Sequence, residues 1–294
     1  MSQEFRIPAG GLIDRNKEIS FIFNGKKYTG YKGDTLASAL LANGVHLIGR
    51  SFKYHRPRGI IAAGVEDANG KVQLYKDSIT EPNVNVTEVE LVEGLRIESQ
   101  NCWPSVNFDV GGINNFFNRF FPAGFYYKTF MWPKSFWYHV YEPFIRKAAG
   151  MGKASLDPDP DRYEHQYEHC DILVVGSGPS GIASALSAAK NGARVILAED
   201  KARFGGSLLT DNVTIGNKNG DEWVEDSISE LKSMPNVIVK KRSQVFGYYD
   251  HNMLVMFERC KDHLSDPEPY TPRQRLWYIR AKHVLISTGS IERP

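Results

Sequence analysis

The chain has 294 residues, 41% of them apolar and 24% charged, which is typical of a soluble globular protein with room for more than one domain. Its formal net charge of +2 gives no indication of a nucleic-acid or membrane-surface partner. Cys102, Cys170 and Cys260 are far apart, with no C-x-x-C pair, so we expect neither a disulfide framework nor a metal site. The N-terminus shows no secretory signal and no run approaches the ~20 apolar residues of a spanning helix, so we expect a cytoplasmic protein without a membrane segment.

Residues 1–100 have the element order of a β-grasp, ferredoxin-like domain. The stretch ISFIFNGKKYTGY predicts a hairpin around Asn24-Gly25. DTLASALLANG predicts a helix that Asp34 caps and Gly44 ends. Its apolar residues stand at helical spacing: Leu36, Ala39, Leu40 and Ala42. KVQLY (71–75) and NVTEVELVEG (85–94) predict further strands.

Residues 101–169 form an aromatic connecting arm and a linker. In FFNRFFPAGFYYKTFMWPKSFWYHVYEPF, 14 of 29 residues are aromatic, but Pro122, Pro133 and Pro143 exclude one continuous helix. Two interpretations remain open for these aromatic side chains. They pack on this chain's own domains, or they contact a partner protein. SLDPDPDRYEHQYEH (155–169) has the composition of an acidic linker.

Residues 170–294 follow the order strand, glycine turn, helix, strand. CDILVVG is a buried strand, PSGIASALSAAKNG a helix, and ARVILAE the next strand. Between them stands G-x-G-x-x-G, the pattern of a Rossmann-like dinucleotide-binding domain. Gly176 permits the turn, Gly178 allows a pyrophosphate to approach, and Gly181 allows close packing of helix and sheet. Glu199 is placed to accept hydrogen bonds from the adenosine ribose, and its charge would repel a 2′-phosphate.

Two later stretches extend this candidate site. RFGGS (203–207) follows the acidic position, and AKHVLISTGSIERP carries an apolar strand into a Thr-Gly pair. This order resembles the flavoproteins with two dinucleotide-binding domains, and by itself it favours FAD. The predicted cofactor-binding residues are Gly176, Gly178, Pro179, Ser180, Gly181, Glu199, Asp200, Lys201, Arg203, Gly205, Gly206, Ser207, Thr288 and Gly289.

No residue of the chain stands in a recognisable catalytic pattern. HQYEHC places His165 and His169 beside Cys170 at a spacing that would suit a metal on a helix, but exposed polar residues in a linker are the preferred interpretation. We therefore predict neither catalytic residues nor metal ligands.

A basic stretch follows the predicted β-grasp helix, where a plant-type ferredoxin carries its cluster cysteines. RSFKYHRPRGIIAAGVEDANG (50–70) contains no cysteine, so we expect no iron–sulfur cluster. Its basic residues are candidates for binding phosphates or an acidic partner, or simply for solvent exposure: Arg50, Lys53, His55, Arg56 and Arg58.

Taken in order, the cysteine-free ferredoxin-like region, PAGFYYKTFMWP and DILVVGSGPSGIASAL resemble the α subunits of heterotetrameric sarcosine oxidases. The resemblance implies a complex that demethylates sarcosine oxidatively to glycine, producing hydrogen peroxide and methylenetetrahydrofolate. It implies NAD at the G-x-G-x-x-G site in place of the FAD that the motifs favour. It also implies FAD and FMN elsewhere in the complex, associated with a flavin-containing β subunit.

Those α subunits are much longer, so the resemblance implies a truncated dinucleotide domain and no folate-binding part. We expect a portion that is non-catalytic by itself. A related amine, opine or amino-acid dehydrogenase complex is one alternative, and a stand-alone assembly module is another. A self-sufficient FAD-dependent reductase is the least favoured, because no redox cysteine pair is present.

Overall fold

The computed structural model describes residues 3–76 and 79–290. The chain divides into two compact units, one that runs to Asp159 and one that begins at Pro160. Within the described ranges, no helix has the length and apolar character needed to cross a membrane.

The first unit contains a mixed five-stranded sheet with a helix packed on it. The strands of the first unit, inside and outside this sheet, are β1 (Asp14–Phe23), β2 (Lys26–Lys32), β3 (Gly49–Arg50), β4 (Pro57–Arg58), β5 (Lys71–Lys76), β6 (Ile79–Asn85) and β7 (Arg96–Ser99). Its helices are α1 (Leu36–Ala42), α2 (Phe125–Thr129) and α3 (Glu142–Ala149). The sheet order is β2-β1-β7-β5-β6, with β1 parallel to β7 and the other pairs antiparallel. Leu36 and Leu40 of α1 are buried against Phe21 and Ile97 of the sheet, which is the β-grasp arrangement.

The predicted hairpin is confirmed, but the predicted helix cap is wrong by one residue. Asn24 and Gly25 adopt φ of 50° and 75° between paired β1 and β2, as a type I′ turn requires. Thr35, not Asp34, is the N-cap of α1, because its side chain exchanges hydrogen bonds with Ser38 in a capping box. The buried Asp34 carboxylate accepts instead from Arg6, Ser38 and the N–H of Tyr31.

The strand predicted over residues 85–94 is also wrong. The ladder of β6 ends at Asn85, and the next strand, β7, begins at Arg96. The backbone carbonyls of Val86 and Val89 accept from the first N–H groups of α1. This segment therefore covers the start of a helix while burying its apolar side chains, which mimics a strand in sequence.

The second unit contains a six-stranded sheet with two helices packed on one face. Its strands are β8 (Tyr163–Val175), β9 (Val195–Ala198), β10 (Thr214–Ile215), β11 (Lys218–Asn219), β12 (Val237–Lys240), β13 (Ser243–Tyr249), β14 (Met253–Arg259) and β15 (Gln274–Ile286). Its helices are α4 (Pro179–Lys190) and α5 (Gly220–Ser233). The order β12-β9-β8-β15-β14-β13 is parallel as far as β15 and antiparallel beyond it. The strand order therefore reverses beside β8, at the boundary where open α/β sheets bind ligands.

The side chains on the two faces of this sheet belong to separate buried clusters. Val174 and Leu197 pack with α4 and α5, whereas their neighbours Leu173 and Ile196 pack on the opposite face with β14 and β15. This alternation follows from the two-residue period of a strand. The carboxyl ends of β8, β9 and β15 therefore present their loops at one edge.

β8 begins earlier than the sequence predicts. The buried strand was expected from Cys170, with residues 155–169 as linker, but β8 starts at Tyr163 and pairs in register with β15 along its whole length. His165 and His169 thus lie on a strand, not on a helix or in a linker. The polar stretch 163–169 becomes a strand because β15, more than 100 positions later, supplies its hydrogen-bonding partner.

Candidate functional site

Gly176 lies in the sharp turn between β8 and α4. Its φ is +98°, and a Cβ there would lie 2.4 Å from the carbonyl oxygen of Ser287, just after β15. Its N–H donates to Ala198 O (2.8 Å), at the end of β9. Only glycine suits this position, which ties the ends of β8, β9 and β15 together.

The other two glycines of the motif differ in their surroundings. A Cβ on buried Gly181 would lie 2.0 Å from the carbonyl oxygen of Gly176, so helix and turn touch directly. Gly178, the N-cap of α4, would meet nothing within 4 Å. Gly181 is therefore required for packing, whereas Gly178 opens onto free space.

The start of α4 is electrostatically open. No side chain among the described residues caps it at Gly178, and Pro179 stands in its first turn. The exposed Ser180 and the buried Gly181 follow. Unpaired N–H groups and the positive end of a helix dipole favour an anion at such a terminus.

Ser177 joins three segments of the site, and the sequence analysis missed it. This fully buried residue donates both its N–H (3.0 Å) and its hydroxyl to Oε2 of Glu199. Its carbonyl accepts from the N–H of Gly205 (3.0 Å). The glycine turn, the acidic residue after β9 and the RFGGS loop are thus fixed together through one serine. The sequence feature that could have identified Ser177 is a hydroxyl inside the glycine motif, followed by an acidic residue 22 positions later.

Glu199 is buried as a carboxyl group with internal partners. Its Oε1 accepts from the N–H of Lys201 (3.0 Å). Burial and the neighbouring Asp200 carboxyl raise the pKa of Glu199 to about 7, although the bonds from Ser177 and Lys201 oppose that rise. The group therefore titrates near neutral pH.

The remaining predicted residues surround the same turn. Gly205 and Gly206 have φ of +129° and +56°, and a Cβ on Gly206 would lie 2.8 Å from the Cα of Gly178. Asp200 is half-buried, and its carbonyl accepts from Arg259 (2.7 Å). Four others are exposed: Lys201, Arg203, Ser207 and Thr288. Gly289, beside Thr288, has φ +69°. Arg293 and Pro294, which complete the sequence pattern, lie outside the described residues.

The described residues assemble no group of three or more His, Cys, Asp or Glu that would hold a metal ion. His165 stacks on Tyr278, with ring centroids 5.8 Å apart. Burial raises the pKa of each cysteine thiol, Cys102, Cys170 and Cys260, to about 11. These thiols are protonated at neutral pH and are poor nucleophiles.

The basic stretch after α1 holds the aromatic arm. Arg50 donates to the carbonyl of Val106 through Nε (2.9 Å), and Lys53 donates to that of Pro122 (3.1 Å). The buried His55 pairs with Asp109, 2.6 Å between Nδ1 and Oδ2. Its Nε2 lies 3.1 Å from Ala148 O.

Two more bonds complete this attachment. Tyr54 donates its hydroxyl to Phe121 O (2.6 Å), and Arg56 donates to Oδ1 of Asn115 (2.9 Å). We call residues 50–56 the clasp. Most of this basic stretch therefore bonds to the chain's own arm. The sequence analysis considered phosphates, an acidic partner and solvent, but not this contact. Arg58 is half-buried in β4.

Two families match separate parts of the chain. Residues 16–102 match the family described as "2Fe-2S iron-sulfur cluster binding domain". Residues 171–243, which contain the glycine turn, Glu199 and the RFGGS loop, match "FAD dependent oxidoreductase".

Similarity to individual proteins extends over the whole chain. It is 51% identical over 99% of its length to the sarcosine oxidase α subunit of Rhizobium meliloti (strain 1021). It is 31% identical over 100% of its length to the protein of the same name from Corynebacterium sp. (strain P-1). Over its whole length, this chain is related to the sarcosine oxidase α subunits. It spans 29% and 27% of the lengths of these two relatives.

A solved structure supports the fold of this sarcosine oxidase α-subunit relative. L-proline dehydrogenase from P. horikoshii has a TM-score of 0.57 at 19% identity and covers 94% of this chain and 41% of that chain. At this identity the likeness concerns the fold alone. It extends over both units.

The first family match corrects one expectation. The missing cysteines led us to expect no iron–sulfur cluster, whereas the family matched by residues 16–102 is described as binding one. Such clusters are ordinarily held by four cysteine thiolates. Cys102 is the single cysteine of the matched range, so this range supplies at most one thiolate of that set.

Proposed function

We propose that the second unit binds FAD and that the chain is the dinucleotide-binding portion of a flavoprotein oxidoreductase complex. The observation that carries this proposal is the meeting of the glycine turn, Glu199 and the RFGGS loop at the reversal of strand order. The family match of residues 171–243 supports FAD over other dinucleotides. FAD, when bound, supplies two-electron oxidation and reduction.

The start of α4 would hold the pyrophosphate. Gly178 leaves space for it, and the first-turn N–H groups with the helix dipole favour its negative charge. A side chain at Gly178 would compete for the same space. Thr288 and Gly289 and the loop at Gly205 to Ser207 would line the nucleotide on either side.

Glu199 would hold the adenosine ribose. A carboxylate oxygen accepts two hydrogen bonds, and Oε1 already takes one from Lys201. A ribose hydroxyl would supply another. Ser177 would act by fixing the carboxylate in place, and Lys201 and Arg203 would lie near the phosphate side.

We further propose that the chain works in a hetero-oligomeric complex that oxidises sarcosine and that its partners include a second flavin-containing protein. The whole-length identity of 51% supports this proposal. An opine oxidase component of Agrobacterium tumefaciens (strain Ach5) is 25% identical over 130 residues, so an opine is the weaker candidate substrate.

We also propose three functional regions: the β-grasp region to about residue 100, the arm, and the dinucleotide region. The last region begins with β8 at Tyr163, within the unit that starts at Pro160. The arm is thus shorter than the sequence analysis placed it.

Release of the bound nucleotide tests the site. The protein purified with its companion subunits is denatured, and the released molecules are identified by absorbance and mass. We expect Gly178→Ala to lose one equivalent of FAD relative to the unmodified protein, while Gly112→Ala, in the first unit, where a Cβ also meets nothing within 4 Å and φ is not positive, retains it. Loss of NAD with unchanged FAD would refute FAD binding at this site.

Turnover tests the activity. The purified complex should oxidise sarcosine to glycine with release of formaldehyde equivalents while oxygen is reduced to hydrogen peroxide, and an N-carboxyalkyl amino acid (an opine) should be the poorer substrate. A preference for the opine would overturn the proposed substrate and leave the FAD proposal intact.

A further inference from the structure

The arm carries large aromatic side chains that its own fold leaves in solvent. We call five of them the outer aromatic face. Each is between 70% and 86% exposed: Phe116, Phe120, Trp132, Tyr138 and Phe144. So many exposed aromatic rings in one short segment are uncommon on a monomer and mark an interaction surface.

A second set of aromatic rings in the arm packs internally. The rings of Phe121 and Phe125 are 4.9 Å apart, and those of Phe130 and Tyr141 are 5.1 Å apart. Phe125 and Phe130 connect these pairs at 6.2 Å. The arm therefore has an aromatic core of its own, and the outer aromatic face is not needed to complete it.

The clasp anchors the arm through residues that do not belong to the outer aromatic face. The clasp binds its backbone at Val106, Phe121, Pro122 and Ala148. A buried hydrogen bond between His55 and Asp109 supports this attachment. Because the clasp fixes the backbone of the arm, that backbone has little conformational freedom to lose on binding, as suits preorganised recognition.

The charge of the arm indicates what would cover it. Between residues 110 and 149 the cations are Arg119, Lys128, Lys134, Arg146 and Lys147. Glu142 is the only acidic residue of that stretch, and it pairs with Arg146 at 2.7 Å. The chain as a whole carries only +2, so the positive charge is local to this stretch. An acidic surface is complementary to it.

We propose that the outer aromatic face docks onto an acidic surface of a companion subunit. This proposal rests on the hetero-oligomeric complex proposed above. Aromatic anchors surrounded by cations suit a protein surface with apolar pockets and a carboxylate rim. Membrane-surface binding usually employs one continuous amphipathic helix. The helices of the arm are short: α2 has 5 residues, and a π-helical segment, Trp137–Tyr141, continues directly into α3, which ends at Ala149.

The test uses the full protein co-expressed with its companion subunits. Phe120→Ser and Tyr138→Ser remove exposed anchors, and Phe246→Ser on β13 of the second unit is the matched control at 57% exposure. Circular dichroism and thermal unfolding verify the fold, and association is measured between separately tagged subunits. We expect each arm variant to bind at least about 30-fold more weakly, as loss of an interface hot spot does, with Phe246→Ser unchanged.

Charge provides a second measurement. Reversal of Lys128 and Lys134 to Glu should slow association and reduce its dependence on salt, because the steering by opposite charge is lost. Unchanged association and salt dependence in this variant would contradict the acidic partner.

The remaining outcomes separate the two proposals. If no companion subunit binds the unmodified protein, the proposed complex fails, and the docking surface with it. If companions bind and folded arm variants bind them equally well, the docking surface alone is refuted. Co-sedimentation of the complex with phosphatidylserine vesicles, lost in the same variants that still bind companions, would assign the face to a membrane and also refute the proposal.

Discussion

The polar groups of the glycine turn after β8 bond to one another, whereas the aromatic arm leaves many of its side chains exposed. At the turn, backbone groups, Ser177 and Glu199 bond one another, and glycines allow contacts as close as that between Gly181 and Gly176. The arm is bonded on its clasp side and leaves rings such as Phe116 exposed. The proposed dinucleotide site is thus built from closely packed backbone, whereas the proposed docking face is built from exposed side chains on a supported segment.

We expect the largest effect on stability at Gly181, because the glycine turn and α4 are packed closely there. Gly181→Ala would place a Cβ 2.0 Å from Gly176 O, so turn and helix must separate. We expect a loss of about 3 kcal/mol in unfolding free energy, together with loss of bound dinucleotide, measured by chemical denaturation and nucleotide release.

Gly178→Ala is the matched control for this change. It has φ −66° and no atom within 4 Å of the added Cβ, so in nucleotide-free protein its denaturation midpoint should be retained, although it too loses bound dinucleotide. If Gly181→Ala is as stable as Gly178→Ala, close packing does not explain the motif.

The next effect concerns the support of the arm. His55→Ala leaves Oδ2 of Asp109, whose side chain is 1% exposed, without its His55 partner, while Oδ1 keeps the N–H groups of Trp103 and Gly111. We expect a cost of about 3 kcal/mol and faster hydrogen exchange across residues 101–149, with residues 170–290 unchanged.

Arg56→Ala is the corresponding control on the clasp. It removes an exposed bond to Asn115 and a cation–π contact with the Tyr54 ring, but no buried group, so we expect a loss of under about 1 kcal/mol. Uniform acceleration of exchange in both units by His55→Ala would show that the pair does not act on the arm.

A smaller effect should appear in the pH dependence of the second unit. The pKa of Glu199 is raised from 4.5 to about 7, mainly by burial, so between these values the folded state holds a proton that the unfolded state has lost. Stability from this group is therefore complete below pH 4.5 and declines as pH rises to 7, by up to about 1.4 kcal/mol per pH unit.

Glu199→Gln should remove that part of the slope. Denaturation midpoints of both proteins between pH 5 and 8 provide the measurement, with Glu222→Gln in the exposed capping box of α5 as control. A slope that persists in Glu199→Gln assigns the effect to another group.

The smallest effect tests one bond of the clasp. Tyr54→Phe removes a hydroxyl that donates to Phe121 O (2.6 Å), and we expect a loss of about 1 kcal/mol with faster exchange at the start of α2. Tyr75→Phe removes a comparable bond, to Glu98 (2.8 Å), on the sheet. If both variants accelerate hydrogen exchange in the arm equally, the bond from Tyr54 of the clasp does not explain the change.

Sequence reasoning succeeded where one local conformation permits few residue types. The hairpin at Asn24-Gly25 and the glycine turn at Gly176 require positive φ, which few residues adopt cheaply. It failed where apolar alternation has a second explanation, as at residues 85–94, which cover α1 without joining the ladder. The cap of α1 was missed by one residue because Asp34 and Thr35 are both good caps and only the geometry distinguishes them.

By itself, the sequence determined the β-grasp order of the first unit, the βαβ unit around the glycines and the aromatic richness of the arm. These features depend on periodicity and on backbone conformations within a few residues. Only the tertiary structure decided that Ser177 fixes Glu199, that His55 meets Asp109, and that polar residues from Tyr163 onward form a strand with β15. Those partners lie 22, 54 and more than 100 positions apart, and no local pattern records which distant group will satisfy a buried hydrogen bond or a strand edge.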